Sequence, residues 1–110
     1  MSYSIILTAR FKRGFKSISK KYKSLEKDVD GLVESLLINP VQGKPLGKDC
    51  YKIRLKIISK GKGKSGGGRI ITCVKVLNEI IYFLLIYDKS NKEAIPDKEL
   101  DDALKEAGLL

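Results

Sequence analysis

Apolar and polar residues alternate strictly through residues 51–57. Tyr51, Ile53, Leu55 and Ile57 fall on one face of a pleated strand, and Lys52, Arg54 and Lys56 on the other. The apolar face is expected to bury and the cationic face to point outward. Residues two apart on one face lie roughly 6.5–7 Å apart, at a rise of about 3.3 Å per residue. That is close to the phosphate spacing of an extended nucleic-acid strand, so the three cations form a comb suited to a polyanion. The same pattern also suits the solvated face of an antiparallel sheet, where Lys and Arg are ordinary.

The rest of the chain builds a frame around this strand. Residues 4–8 lean towards β structure. Thr8 can then cap a helix in which Phe11, Phe15, Ile18 and Tyr22 make one apolar stripe, with Arg10, Lys12, Arg13, Lys16, Lys20, Lys21 and Lys23 between them. Its stripe is expected to pack on the sheet rather than on a membrane surface. Ser24 opens a second helix with acids in its first turns and Leu25, Val29, Leu32, Val33, Leu36 and Leu37 as its buried stripe, and Asn39-Pro40 stops it. A short link predicts an antiparallel helical hairpin. Residues 40–49, rich in Pro and Gly, read as a connector. After Ile58 comes an exposed loop over residues 59–68 carrying Lys60, Lys62 and Lys64 among glycines. Residues 69–77 form the next strand, Asn78-Glu79 turns the chain, and residues 80–87 form a strand apolar enough to be buried on both faces. Pro96 opens a last helix striped by Leu100, Ala103, Leu104 and Ala107 and ended by Gly108. The architecture is α+β in a single domain over residues 1–110: one strand, a helical hairpin, a three-stranded antiparallel meander and a C-terminal helix.

Charge sharpens this picture. The formal net charge is +9, and residues 1–65 carry 16 Lys or Arg against 5 Asp or Glu, while residues 66–110 carry 6 against 8. A basic front two-thirds calls for a polyanionic partner, either nucleic acid or an acidic protein. No signal-peptide core is visible, and the longest apolar run is about a third of a bilayer-spanning helix. Cys50 and Cys73 lack the CxxC spacing of a zinc or redox site and make no disulfide framework. A reducing cytoplasm is the expected location.

With no His in the chain, Ser-His and Cys-His nucleophilic sites, His-bearing zinc sites and His-based ribonuclease chemistry are excluded. Gly61-Lys62-Gly63-Lys64-Ser65-Gly66 matches GxGxxG, and its Gly-Lys-Ser resembles part of a P-loop. Both motifs work by setting phosphate at the start of a following helix, and here a strand follows. Asp97, Glu99, Asp101 and Asp102 charge the first turns of the last helix and have no EF-hand spacing. No metal and no small-molecule cofactor are expected.

What remains is a cluster that strand pairing can gather: Lys52, Arg54 and Lys56, then Arg69 on the next strand, then Tyr87 with Lys89 and Lys92 where the buried strand runs out. Metal-free scission of RNA by a ribose 2′-OH needs a base, charge neutralisation on the phosphoryl oxygens, and a proton for the 5′ oxygen. Crowded lysines depress one another's pKa, and Arg holds phosphate in a fork. Lys52 is therefore the expected base, Arg54 and Arg69 the phosphate clamps, and Tyr87 a stacking or proton-transfer group. Lys56, Lys60, Lys62, Lys64, Lys89 and Lys92 are expected to bind the RNA backbone.

Three blocks of the chain resemble the RelE/ParE superfamily of bacterial toxins, in its RelE or HigB-like branch. They are Pro45-Leu46-Gly47-Lys48-Asp49-Cys50-Tyr51-Lys52-Ile53-Arg54-Leu55, Gly68-Arg69-Ile70-Ile71 and Ile86-Tyr87-Asp88-Lys89-Ser90-Asn91-Lys92-Glu93. The resemblance implies a RelE-like toxin of a type II toxin-antitoxin system, neutralised by a cognate acidic antitoxin, that cleaves mRNA on the ribosome. By the same resemblance Lys52 matches a catalytic lysine, Arg54 stands where the family has a second lysine, and Arg69 matches an arginine that stabilises the transition state. The chain departs from the pattern at Ser90, where an arginine follows the last strand in RelE-type toxins, and near Pro96, where a functional tyrosine falls. Of the Asp-Tyr-His cluster of HigB-type toxins it keeps only Tyr87 and Asp88. The alternatives are a ParE-like inhibitor of DNA gyrase and a non-catalytic module that binds RNA or the antitoxin.

Overall fold

Thr8 marks the passage from the first strand, β1 (Ser4–Leu7), to the first helix, α1 (Ala9–Ser19). Its side-chain oxygen accepts the Phe11 N–H at 3.3 Å, and its hydroxyl donates to the Phe83 carbonyl at 2.8 Å. One residue thus caps the helix and ties it to the sheet. Helix α2 (Leu25–Ile38) follows. Ser24 precedes it as expected, but its hydroxyl donates to Asp28 at 2.6 Å and accepts the Ser59 N–H at 2.8 Å instead of capping a helix amide. The residue therefore pins down a 3-10 turn, Ile58–Lys60. This computed structural model describes residues 2–61, 67–92 and 94–110; Lys62 and Lys64 lie outside the described residues.

The remaining strands are β2 (Lys44–Gly47), β3 (Cys50–Leu55), β4 (Gly68–Lys75) and β5 (Ile80–Asp88), and helix α3 (Asp97–Glu106) closes the chain. They form one sheet in the order β1-β5-β4-β3-β2, with β1 parallel to β5 and every other pair antiparallel. The α+β architecture is as expected, but the antiparallel run has four strands, not three. Residues 40–49 are more than a connector, because they contain β2. Pro45 donates no amide hydrogen bond and the flanking glycines have low strand propensity. A strand at the rim of a sheet tolerates both, since one side of it pairs with nothing. Lys48 and Asp49, at φ 55° and 64°, form the left-handed two-residue turn into β3.

Each face of the sheet has its own cover. On one side α1 and α2 bring Phe11, Leu25, Val29 and Leu36 onto Ile53, Leu55, Ile70, Phe83 and Ile86. Gly14 lets α1 come close, since a Cβ there would stand 3.1 Å from the Ile86 carbonyl oxygen. On the other side Leu100, Ala103 and Leu104 of α3 pack with Cys50, Ile71, Cys73, Leu84, Leu85 and Tyr87. Between β4 and β5 the register runs from Ile71↔Leu85 to Thr72↔Phe83, so Leu84 is the extra residue of a bulge. That is how consecutive residues Leu84 and Leu85 both join the α3 side. β5, between β1 and β4, is buried along most of its length, as its unbroken apolar sequence predicts. No helix among the described residues is long and apolar enough to cross a membrane.

Candidate functional site

Helix α3 covers only part of its face, and the cationic comb occupies what it leaves open. Ile53 and Leu55 are buried beneath the helical hairpin, which directs Lys52 and Arg54 to the opposite face. The register then sets Arg54 opposite Arg69, and Arg69 opposite Tyr87, so three strands contribute to one row. Lys52 stands one step along the same face, between Ile71 of β4 and Lys44 of β2.

The Val74 N–H donates to the Asp49 carbonyl at 2.9 Å, which makes 49/74 a hydrogen-bonded pair. By alternation 50/73, 52/71 and 54/69 are the non-hydrogen-bonded pairs, in which facing Cα atoms approach to about 4.5 Å. Two arginines thus occupy a close-facing position. The result is a cavity of about 590 Å³ lined by Gly43, Lys44, Lys52, Arg54, Arg69 and Lys89. Arg69 forms its buried wall, at 6% exposure, with its guanidinium donating to the Gly68 carbonyl at 2.9 Å. The Lys89 backbone N–H donates to the Gly67 carbonyl at 3.1 Å, which fixes the chain as it leaves β5. Four strands or their ends therefore direct cations at one volume, a site for an anion with several oxygens.

The other expected residues divide. Tyr87 lies in the row but is buried and does not line the cavity, and its hydroxyl has no hydrogen-bond partner among the described residues. Burial pushes its pKa up, Arg69 partly opposes this and Glu99 adds to it. Neutral and covered, Tyr87 offers no open face for a base to stack on. Lys92 sits 5.4 Å from the Tyr87 ring centre and pairs with Glu99 at 2.6 Å. Lys56 is exposed just beyond β3 and outside the cavity.

Lys60 departs furthest from a loop cation open to solvent. Its side chain is 4% exposed, and its ammonium donates to Asp88 at 2.8 Å and to the Gly67 carbonyl at 3.0 Å. Asp88 is 3% exposed and also accepts the Tyr22 hydroxyl at 2.7 Å and the Ser90 N–H at 2.9 Å. Burial alone would raise the Asp88 pKa, but the hydrogen bonds from Lys60, Ser90 and Tyr22 outweigh it and hold the carboxyl well below the usual range. The same contact with Asp88 raises the Tyr22 pKa. This buried cluster fixes the chain where β5 delivers Lys89.

Sequence reasoning missed Lys44, because β2 was read as connector. The available signal was the Gly47-Lys48-Asp49 turn, which folds residues 44–47 back against β3 and puts Lys44 opposite Lys52.

The family model described as the RelE toxin of the RelE/RelB toxin-antitoxin system matches residues 5–110. Among solved structures the fold is similar to that of an arginine-to-alanine double mutant of the Escherichia coli toxin RelE in the free state. The TM-score is 0.63 at 21% identity, covering 96% of this chain and 97% of that one. No curated protein matches the sequence.

Proposed function

Since the chain belongs to the RelE toxin family, we propose that it is a metal-independent endoribonuclease that cuts mRNA on the ribosome and so halts translation in the cytoplasm. The observation that carries this reading is the row of Arg54 and Arg69 across a close-facing strand pair, with Lys52 on the same face of the same cavity. A phosphodiester seated there meets two guanidiniums that can share the charge gathering on its non-bridging oxygens. Lys52 takes the 2′ proton, and the 2′ oxygen attacks phosphorus. Lys89, which follows β5 and also lines the cavity, donates the proton to the leaving 5′ oxygen. Lys44 extends the grip along the backbone. Tyr87 acts from below the site, as support for Arg69 and Lys92.

The cognate partner is an acidic antitoxin that neutralises the toxin by covering this cationic face; a net charge of +9 favours such a partner. The test is cleavage of a labelled message by ribosomes supplied with the purified chain. The expected result is scission that Lys52→Ala combined with Arg69→Ala abolishes. Intact message, or cleavage unaffected by the double change, overturns the assignment. Inhibition of purified DNA gyrase with the message intact would select the ParE-like activity instead.

A further inference from the structure

The proposed site leaves two nucleophilic side chains unused. Cys50 and Cys73 are the only cysteines in the chain, and both are free thiols with 1% and 0% exposure. They face each other directly on β3 and β4 as a non-hydrogen-bonded pair. Such pairs bring Cα atoms to about 4.5 Å, inside the range of about 4.4–6.8 Å that a disulfide spans. Both sulfurs converge on one acceptor, the Lys48 carbonyl, at 3.4 Å from Cys50 and 3.8 Å from Cys73.

The two thiols are not equivalent. The neighbouring Cys50 thiol holds the Cys73 pKa below its ordinary value, against the opposing effect of burial and with help from Lys75. The Cys73 sulfur, together with burial, raises the Cys50 pKa. Over the pair lies the exposed turn of Lys48 and Asp49, two non-glycine residues held at positive φ. Helix α3 reaches this turn through the Lys48–Asp101 ion pair. Local opening of this exposed turn is the route by which a peroxide reaches the two sulfurs.

We propose that Cys50 and Cys73 form a redox-modification site, which a peroxide oxidises to a reversible cross-strand disulfide. The Cys73 thiolate attacks one peroxide oxygen; an S–O bond forms, the O–O bond breaks, and the departing hydroxide takes up the proton Cys73 released, leaving as water. The Cys50 sulfur then attacks the sulfenic sulfur of Cys73. The S–S bond forms, the S–O bond breaks, and the hydroxyl leaves with the Cys50 proton as a second water. Two thiols lose two electrons and the peroxide gains them. The new bond ties β3 to β4 two residues from Lys52, on the face that carries the cavity. The chemistry does not depend on cleavage of RNA.

Treating the reduced full chain with hydrogen peroxide at neutral pH, then alkylating and digesting it without reductant, tests the proposal. Both thiols are expected to disappear together into one peptide pair joined through Cys50 and Cys73, and dithiothreitol is expected to restore them. Cys50→Ala should stop at a Cys73 sulfenic acid that dimedone traps. Thiols that survive while glutathione in the same tube is consumed overturn the proposal. So does a wild-type sulfenic acid that never closes, or disulfides formed only between molecules. Circular dichroism checks that the variant folds, and the wild-type peptide map decides the matter even if it does not.

Discussion

The two faces of the sheet are made by the same strands and have opposite character. Under α1 and α2 the face is apolar and closed, and the buried charges at its rim are matched: Lys60 and Asp88 lie 2.8 Å apart with Tyr22 as a third partner. Under α3 apolar packing stops part-way, and beyond it Arg54 faces Arg69 beside Lys52, Lys44 and Lys89. The first face is arranged to hold the molecule together. The second gathers cations around one cavity, an arrangement that suits an incoming anion. Because side chains alternate along a strand, a single segment, β3, contributes Ile53 and Leu55 to one task and Lys52 and Arg54 to the other.

The strongest challenge to this contrast is a large truncation on the closed face. Phe83→Ala, at a fully buried ring edge-on to Phe11, should cost about 3–5 kcal/mol of stability. It should leave cleavage per folded molecule nearly unchanged, as measured by denaturant unfolding beside active-site titration. Asp88→Asn comes next. It strands a buried ammonium and should cost about 3–5 kcal/mol. It should also remove an acid limb from the stability profile. The folded Asp88 carboxyl titrates below its unfolded value of about 4. Its contribution is therefore fully present above that pH and lost as the pH falls towards the folded value. Chemical denaturation from pH 7 down to pH 2 should show a fall at the acid end that the Asn variant lacks.

On the open face the effects should invert. Arg54→Ala is expected to lower the cleavage rate by about 100-fold, the loss of one charge-stabilising donor. Stability should stay unchanged. A large drop in melting temperature would break the contrast between the faces. The smallest expected effect is that of Lys44→Ala. RNA binding should weaken modestly, and the slope of log affinity against log salt should fall by about 0.7, the signature of one lost contact to a single strand.

Much of this organisation could be read from residue order alone, because it rests on short-range periodicity. A period of two in residues 51–57 fixed which side chains of β3 face in and which face out. The Phe11, Phe15, Ile18 and Tyr22 stripe fixed the buried side of α1, and the uninterrupted apolar run in β5 fixed its central place. Tertiary structure decided what no local pattern encodes. Strand β2 exists because β3 offers it an unpaired edge, despite a Pro and flanking Gly that speak against a strand. Lys60 turns inward because Asp88, 28 residues later in the chain, is waiting for it, and the direction of a long flexible side chain leaves no trace in a sequence pattern. The pairings of Arg54 with Arg69 and of Cys50 with Cys73 follow from the register between β3 and β4, which a one-residue slip would have dissolved.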